Sequence, residues 1–338
     1  MSRALRVAAF LGALAILALT FINASWLADA PPGRVRLVAI GGVHPVAAGG
    51  GPCPAIEPPL HDYLADTKSG MVAAGRMGAQ MVTLDLQVTR DGHLVLLPGA
   101  DLSCRTDGQG TVGEHTLAEI AALDAGHGYS ADGGKTFPFR GRAVGAIPRL
   151  EEVLALLPDK PMLFDLPADP RAGAQLVETL RAVRRDPLTV GDGFRGLAAD
   201  LAPIRKAWPE AWLWDRTRAA QCSAAYRWQG WLGLTPAICK GQTLVVPSDK
   251  AWSFAGWPDR VQARMANVGA KVVMTGPGGA GLQLPEQIGA IPVSYTGYVM
   301  VEDIWAVGPA LRPDFNRRTP LEEQELAKAL EARRKRAE

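Results

Sequence analysis

The sequence predicts an α/β fold built on a parallel sheet. Strand-length apolar runs recur along the chain, separated by segments with helical apolar spacing, and most connections are long enough for a crossover. At 338 residues the chain is long enough to bury one large core.

The first element is apolar. Arg3 and Arg6 precede a run from Val7 to Ile22, and Ala28-Asp29-Ala30 has the small-x-small form of a signal-peptide cleavage site. Pro31 directly after it hinders cutting there. Extended to Leu27, the run approaches the length needed to cross a bilayer. Residues 1–30 are therefore a signal peptide or a membrane anchor, with a retained anchor preferred. Both place the body of the protein outside the cytoplasm, on the periplasmic side of an inner membrane, anchored or released.

Val35–Ile40 reads as the first buried strand, ending at Gly41-Gly42, and the Gly- and Pro-rich residues 43–60 read as loop. Met71, Ala74 and Met77 give helical spacing between Asp66 and Met77. Met81–Gln87 is a strand, and Arg90-Asp91-Gly92 turns tightly into His93–Leu97. So short a link forces an antiparallel return, which brings Pro98 and Gly99 beside Thr83 and Asp85. Helices follow at Thr116–Leu123 and Leu150–Leu157, the second opened by Pro148 and by Glu151-Glu152. Between the two lies a long Gly-rich loop over residues 125–145. Met162–Leu166 is a strand and Ala172–Arg185 a helix. Further strands are expected at Gly196–Ala199, Trp212–Trp214, Thr243–Pro247, Val272–Thr275 and Tyr298–Val301, with a helix at Pro258–Val268. From Thr319 a capping box with Pro at the first helical position opens a polar helix; residues 313–338 are set apart as a polar, basic tail.

Charge excludes one partner class. The chain carries 36 basic and 34 acidic side chains, a net +2, so no basic field suited to nucleic acid exists outside the final RRKRAE, which reads as solvated. Cys53, Cys104, Cys222 and Cys239 are even in number and lack CxxC or Cys/His metal spacing, so disulfides are expected rather than zinc. Three pairings are open. Cys222 with Cys239 is favoured because it closes a loop of about 17 residues, worth roughly 3 kcal/mol in chain entropy; Cys53 with Cys104 would then remain. Eight of the nine tryptophans lie at or beyond Trp208. Core and disulfide packing accounts for most of them, and the alternative is an aromatic rim for a lipid tail or a membrane interface.

Residues 81–110, MVTLDLQVTRDGHLVLLPGADLSCRTDGQG, resemble the glycerophosphodiester phosphodiesterase family in their strand, Asp-Gly turn, return strand and Arg-Thr-x-Gly-x-Gly loop. The stretches Cys104-Arg105-Thr106-Asp107-Gly108 and Ala131–Pro138, and later the run from Gly230 to Val273, resemble a proteobacterial branch of that family. The resemblance covers about residues 35–310 and implies a (β/α)8 barrel over residues 31–312, with the return strand as an excursion and the Gly-rich loop as an insertion at the mouth. It also implies metal-assisted hydrolysis of a phosphodiester, with His groups moving protons and carboxylates holding a hard cation.

The family's chemical groups are largely missing. Its His-Arg falls on Ile40 and Gly41, and the Glu of its Glu-Asn-Thr on Ala65. Its Glu-x-Asp becomes Thr83-Leu84-Asp85, its His-Asp becomes Pro98-Gly99, and its Glu-x-Lys becomes Asp165-Leu166-Pro167. None of His44, His61, His93, His115 and His127 is expected to replace the lost pair. Asp85 and Asp165, at strand ends facing the mouth, would hold Mg²⁺ or Ca²⁺ weakly if at all; otherwise Asp85 pairs with Arg105 or Arg90. The expected function is a catalytically degenerate envelope protein that binds a phospholipid-derived glycerophosphodiester or a partner envelope protein. The alternatives are an active metal-dependent phosphodiesterase of lipid metabolism with a rebuilt site, and a structural envelope component without a ligand.

Overall fold

The computed structural model describes residues 2–29, 31–49, 53 and 55–337. Ala30, the last residue of the expected cleavage signal, and Glu338 lie outside them. The strands are β1 (Arg36–Ala39), β2 (Ala47–Ala48), β3 (Ala55–Ile56), β4 (Met81–Val88), β5 (Leu94–Leu96), β6 (Met162–Asp165), β7 (Gly193–Gly196), β8 (Trp212–Asp215), β9 (Thr243–Pro247), β10 (Lys271–Thr275) and β11 (Tyr298–Val301). The helices are α1 (Arg3–Asn23), α2 (Lys68–Arg76), α3 (Leu117–Ala121), α4 (Leu150–Leu156), α5 (Ala172–Ala182), α6 (Pro187–Val190), α7 (Ala198–Ala207), α8 (Arg216–Gln229), α9 (Asp259–Asn267), α10 (Ile304–Leu311) and α11 (Pro320–Ala337).

The fold is the expected α/β barrel type. Its strands are hydrogen-bonded in the order β8-β7-β6-β4-β1-β11-β10-β9, with β5 antiparallel on β4 as the short Asp-Gly turn requires. Two short strands that the sequence left as loop, β2 and β3, pair antiparallel. One strand is misplaced by the sequence reading: the expected strand at Gly196–Ala199 lies at Gly193–Gly196, and Ala198 already belongs to α7.

The chain divides into two compact units, one comprising Met1–Arg36, Trp214–Ala280 and Gly289–Val299, the other Leu37–Leu213, Gly281–Ile288 and Met300–Glu338. In the second unit β4 and β6 are buried along nearly their whole length, as strands covered on both faces must be. The Gly-rich segment is packed rather than open: Ala125, Phe139, Ala143 and Ile147 join Leu97, Leu102 and Ile120 in a hydrophobic cluster. The Asp124 carboxylate ties this loop together, accepting the N–H groups of Gly126, Gly141 and Ala143.

The C-terminal segment is the polar helix expected; within the final RRKRAE Arg334 and Lys335 are exposed and Arg333 is half-buried. Its capping box forms as predicted, with Thr319 N–H donating to Glu322 Oε2 at 2.6 Å and Glu322 N–H to Thr319 Oγ1 at 3.3 Å. Leu326 and Leu330 are buried, and Arg333 Nη1 donates to Asp303 Oδ2 at 2.7 Å. Two apolar positions one turn apart and one buried ion pair suffice to dock a mostly polar helix.

In the first unit α1 is 21 residues long with no buried residue, and it is apolar enough to cross a membrane. Both disulfides are present, Cys53–Cys104 and Cys222–Cys239. The second links α8 to the short turn Ala237–Cys239 before β9.

The start of β6 is fixed by a buried ion pair. Arg185 donates to both oxygens of Asp192 at 2.8 Å, and to the Pro158 and Lys160 carbonyls at 2.6 Å, while Asp192 Oδ1 also accepts Met162 N–H at 2.9 Å. Removing one partner leaves a buried guanidinium without its counter-charge. Asp192→Ala is therefore expected to destabilise the fold by about 3–5 kcal/mol, read from chemical denaturation; a loss under about 1 kcal/mol would show that the pair does not hold β6 in place.

Candidate active site

Parallel register sets the central feature. Asp85 of β4 is the register partner of Asp165 of β6, and Asp165 is the partner of Arg195 of β7. Neighbouring strands are about 4.8 Å apart, so these positions form a row of two acids and a base at the C-terminal ends of three strands, where barrels of this type place their sites. Asp165 and Arg195 form an ion pair. The cations expected to pair with Asp85 are engaged elsewhere. Arg105 Nη1 donates to the Pro98 carbonyl at 3.2 Å, and Arg90 donates to Glu114 O at 3.1 Å and to Glu119.

A third acid joins the row from the loop before α2. Asp66 is fully buried in a left-handed conformation, φ 56°, and its Oδ1 accepts Asp85 N–H at 3.2 Å. Its Oδ2 is buried with no hydrogen-bond partner among the described residues. Burial, and then the charge of Asp85, hold the Asp66 carboxyl well above the usual carboxylate range. Burial, and then the charge of Asp165, push Asp85 up to about 6, against the opposing pull of Arg195. An ionised carboxylate here has too little water and too many acidic neighbours.

The positions aligned with the family's chemistry serve structure. Thr83 Oγ1 accepts Gly41 N–H at 2.8 Å, which ties the end of β1 to β4. Gly41 O accepts Asp66 N–H at 2.8 Å, placing the third acid. Gly42 has φ +85°, and a Cβ there would meet the Gly70 carbonyl carbon at 2.8 Å. The Pro98 carbonyl orients Arg105, and Gly99 turns the chain at φ +82°. Ile40 N–H donates to Val301 O at 2.9 Å, joining β1 to β11. Pro167, two residues past the end of β6, carries no ionisable group.

Four of the five histidines lie away from this row. His61 sits between the rings of Tyr63 and Trp305, at 5.5 and 5.2 Å, and burial lowers it to about 4. His93 opens the return strand, His115 contacts Gln109 O at 2.8 Å, and the His127 carbonyl accepts from Arg140. His44 is different. Its Nδ1 lies 3.3 Å from Gly42 O and its Nε2 3.2 Å from Glu302 Oε1. Burial opposes its charging, but the bond to Glu302 and that residue's charge outweigh burial and raise its pKa. With an acceptor at each ring nitrogen, the imidazolium can donate twice. Its charge is also felt at Asp85. Four residues of loop after Ile40 therefore do not carry His44 out of the site.

His44, Glu302, Arg105, Ala65 and Tyr129 line a small cleft of about 60 Å³, also lined by Cys53 and Cys104. The loss at Ala65 thus leaves a small apolar wall. Glu302, Arg195 and Asp66 were not expected in the site. The signal that could have found Glu302 is its place directly after β11, the same strand-end position that marked Asp85 and Asp165.

A hard divalent cation needs several oxygen ligands at once. Asp165 is already engaged by a guanidinium, which also repels a second cation, and no group of three His, Cys, Asp or Glu side chains suited to a metal occurs among the described residues. The residues present do not fit the family's metal.

A family model described as the glycerophosphoryl diester phosphodiesterase family matches residues 61–250. A glycerophosphodiester phosphodiesterase of Bacillus subtilis is 40% identical over 84 residues, 24% of this chain and 27% of that protein. One from Caldanaerobacter subterraneus is 37% identical over 101 residues, 30% of this chain and 38% of that protein. The chain thus spans well under half the length of these relatives. Among solved structures, a glycerophosphodiester phosphodiesterase from Agrobacterium tumefaciens superposes with a TM-score of 0.57 at 17% identity, covering 82% of this chain and 99% of that one. A phosphodiesterase from Oleispira antarctica, solved with the product sn-glycerol-3-phosphate, gives 0.56 at 17%, covering 82% and 96%. At that identity the likeness is one of fold.

The crowding of carboxylates has a measurable consequence. Asp85 titrates higher in the folded chain than in the unfolded one, so the folded state binds more protons between about pH 4 and pH 6 and loses stability as pH rises through that window. Asp85→Asn removes this penalty. In chelator-containing buffer at pH 7 it is expected to stabilise the protein by about 1–3 kcal/mol, with the gain vanishing towards pH 4. Destabilisation at pH 7 would mean that the carboxylate is held ionised by a partner.

Proposed function

We propose that this chain, which belongs to the glycerophosphoryl diester phosphodiesterase family, binds a glycerophosphodiester or its glycerol-phosphate portion at the barrel mouth without hydrolysing it. The supporting observation is the Asp165–Arg195 ion pair. Hydrolysis of this kind needs a cation to neutralise the phosphoryl oxygens, and here the acid available to hold one is already satisfied by a fixed guanidinium. The family's two proton-transferring histidines align with Ile40 and Pro98, neither of which carries a transferable proton. The cleft is lined by two cationic groups, Arg105 and His44, the latter paired with Glu302. Such a pair suits a phosphate.

The protein acts in the cell envelope in this reading, tethered by α1 with its body on the periplasmic side. Two disulfides and Arg3 and Arg6 ahead of the apolar helix support that orientation. An envelope protein is the second class of ligand for the same mouth.

One observation favours an active enzyme with a rebuilt site: the His44–Glu302 pair is a base with its orienting carboxylate, close enough for its charge to act on Asp85. It leaves open who neutralises the phosphoryl charge, since Mg²⁺ or Ca²⁺ would be weakly held at best by Asp85.

Calorimetry with sn-glycerol-3-phosphate tests the binding reading. Binding is expected without added metal, and Arg105→Ala should weaken it roughly ten- to a hundredfold, the worth of a hydrogen bond to a charged group. Binding that appears only with Mg²⁺ or Ca²⁺, or that ignores Arg105→Ala, would contradict it.

A further inference from the structure

The first compact unit carries a second feature, unrelated to the barrel mouth, where α1 meets the body of the protein. α1 is apolar on every side: Leu5, Phe10, Leu11, Ile16, Leu17, Phe21 and Ile22 are all exposed. A helix with this pattern belongs in lipid or in a core, and here none of it is buried. Its 21 residues span about 31 Å at 1.5 Å per residue, close to the roughly 30 Å of a bilayer's hydrocarbon.

The end of α1 is not a loose tether. Arg264 of α9, itself buried, directs Nη2 onto Ile22 O at 3.0 Å and Asn23 Oδ1 at 3.1 Å, while its Nη1 bonds Tyr226 Oη at 3.0 Å and Gly230 O at 3.2 Å. Asn23 Nδ2 donates to Trp231 O at 2.8 Å. Asp259 N–H donates to Ser25 Oγ at 2.9 Å. Gly233, at φ +77°, lies so close to Ile22 that a Cβ would collide with its side chain. A buried guanidinium thus takes two of its acceptors from the segment that signal-peptide cleavage would remove. Losing them would leave donors unsatisfied in the protein interior.

Around this clasp the surface is aromatic. Trp26, Trp228 and Trp252 are 76%, 82% and 75% exposed, and Trp231 is 48% exposed. Trp26, Trp231, Trp252 and Trp257 border an apolar hollow of about 660 Å³ whose other wall includes Ile16 and Leu19 of α1. Tryptophan has an apolar body and one N–H, which suits it to the headgroup boundary of a bilayer.

We propose that α1 is a retained anchor clasped by Arg264, and that the clasp seats the Trp26/Trp228/Trp231/Trp252 collar in the lipid interface of the leaflet on the body's side, with lipid chains filling the hollow. The occupant is the bilayer that α1 crosses, because the collar is rigidly continuous with the end of that helix. Scattered exposed tryptophans need no explanation singly; four around the exit of a membrane-length helix do.

The test uses the full chain purified from membranes and reconstituted in vesicles of phosphatidylcholine and phosphatidylglycerol, with bromine placed either high or deep on the acyl chains. High-bromine lipid is expected to quench tryptophan emission at least twofold more than deep-bromine lipid. A Trp228→Phe/Trp231→Phe/Trp252→Phe variant, altered only at exposed positions, should lose most of that quenching while keeping its circular dichroism. The intact mass of the membrane-extracted chain should still include residues 22 and 23. A chain cut after Ala30, no quenching, or equal quenching in the variant would each overturn the proposal.

Discussion

Two carboxylates on adjacent parallel strands at one register cannot both stay ionised in a buried site unless something answers their charge. Asp85 and Asp165 are so placed, and Arg195, one strand further along, supplies the answer. The rest of the barrel mouth follows from that choice. Asp66 and Asp85 are driven towards their neutral forms, and the cleft is lined by Arg105 and by His44, which is paired with Glu302.

The positions aligned with the family's motifs make structural contacts. Thr83 fastens the end of β1 through Gly41, and Gly42 allows the approach of α2. The Pro98 carbonyl anchors Arg105. Ala125, Phe139 and Ile147 join Val95 and Leu97, at and just after the return strand, in one apolar cluster.

Much of this was legible in the sequence because it rests on local rules. The Asp-Gly turn dictated the antiparallel return, the Thr319–Glu322 box dictated the last helix, and the parallel strands followed from apolar runs. What escaped notice depends on partners distant in sequence. Arg195 was missed because β7 is Gly-Phe-Arg-Gly, a weak strand former, while the apolar Leu197-Ala198-Ala199 beside it looks more like a strand and is the start of a helix. His44 lies four residues after its strand, and only the fold reveals that the loop turns back to meet Glu302. The tryptophans divide on burial: Trp212, Trp214 and Trp305 are in the core, whereas Trp26, Trp228, Trp231 and Trp252 are exposed, a division that composition cannot make.

Recognition of a glycerophosphodiester without its cleavage is measured most directly by phosphorus NMR of glycerophosphocholine incubated with the full chain, with Mg²⁺ and with Ca²⁺. The diester resonance should persist unchanged in area and be broadened by binding. Growth of a glycerol-phosphate resonance that disappears with Asp85→Ala or His44→Ala would contradict it.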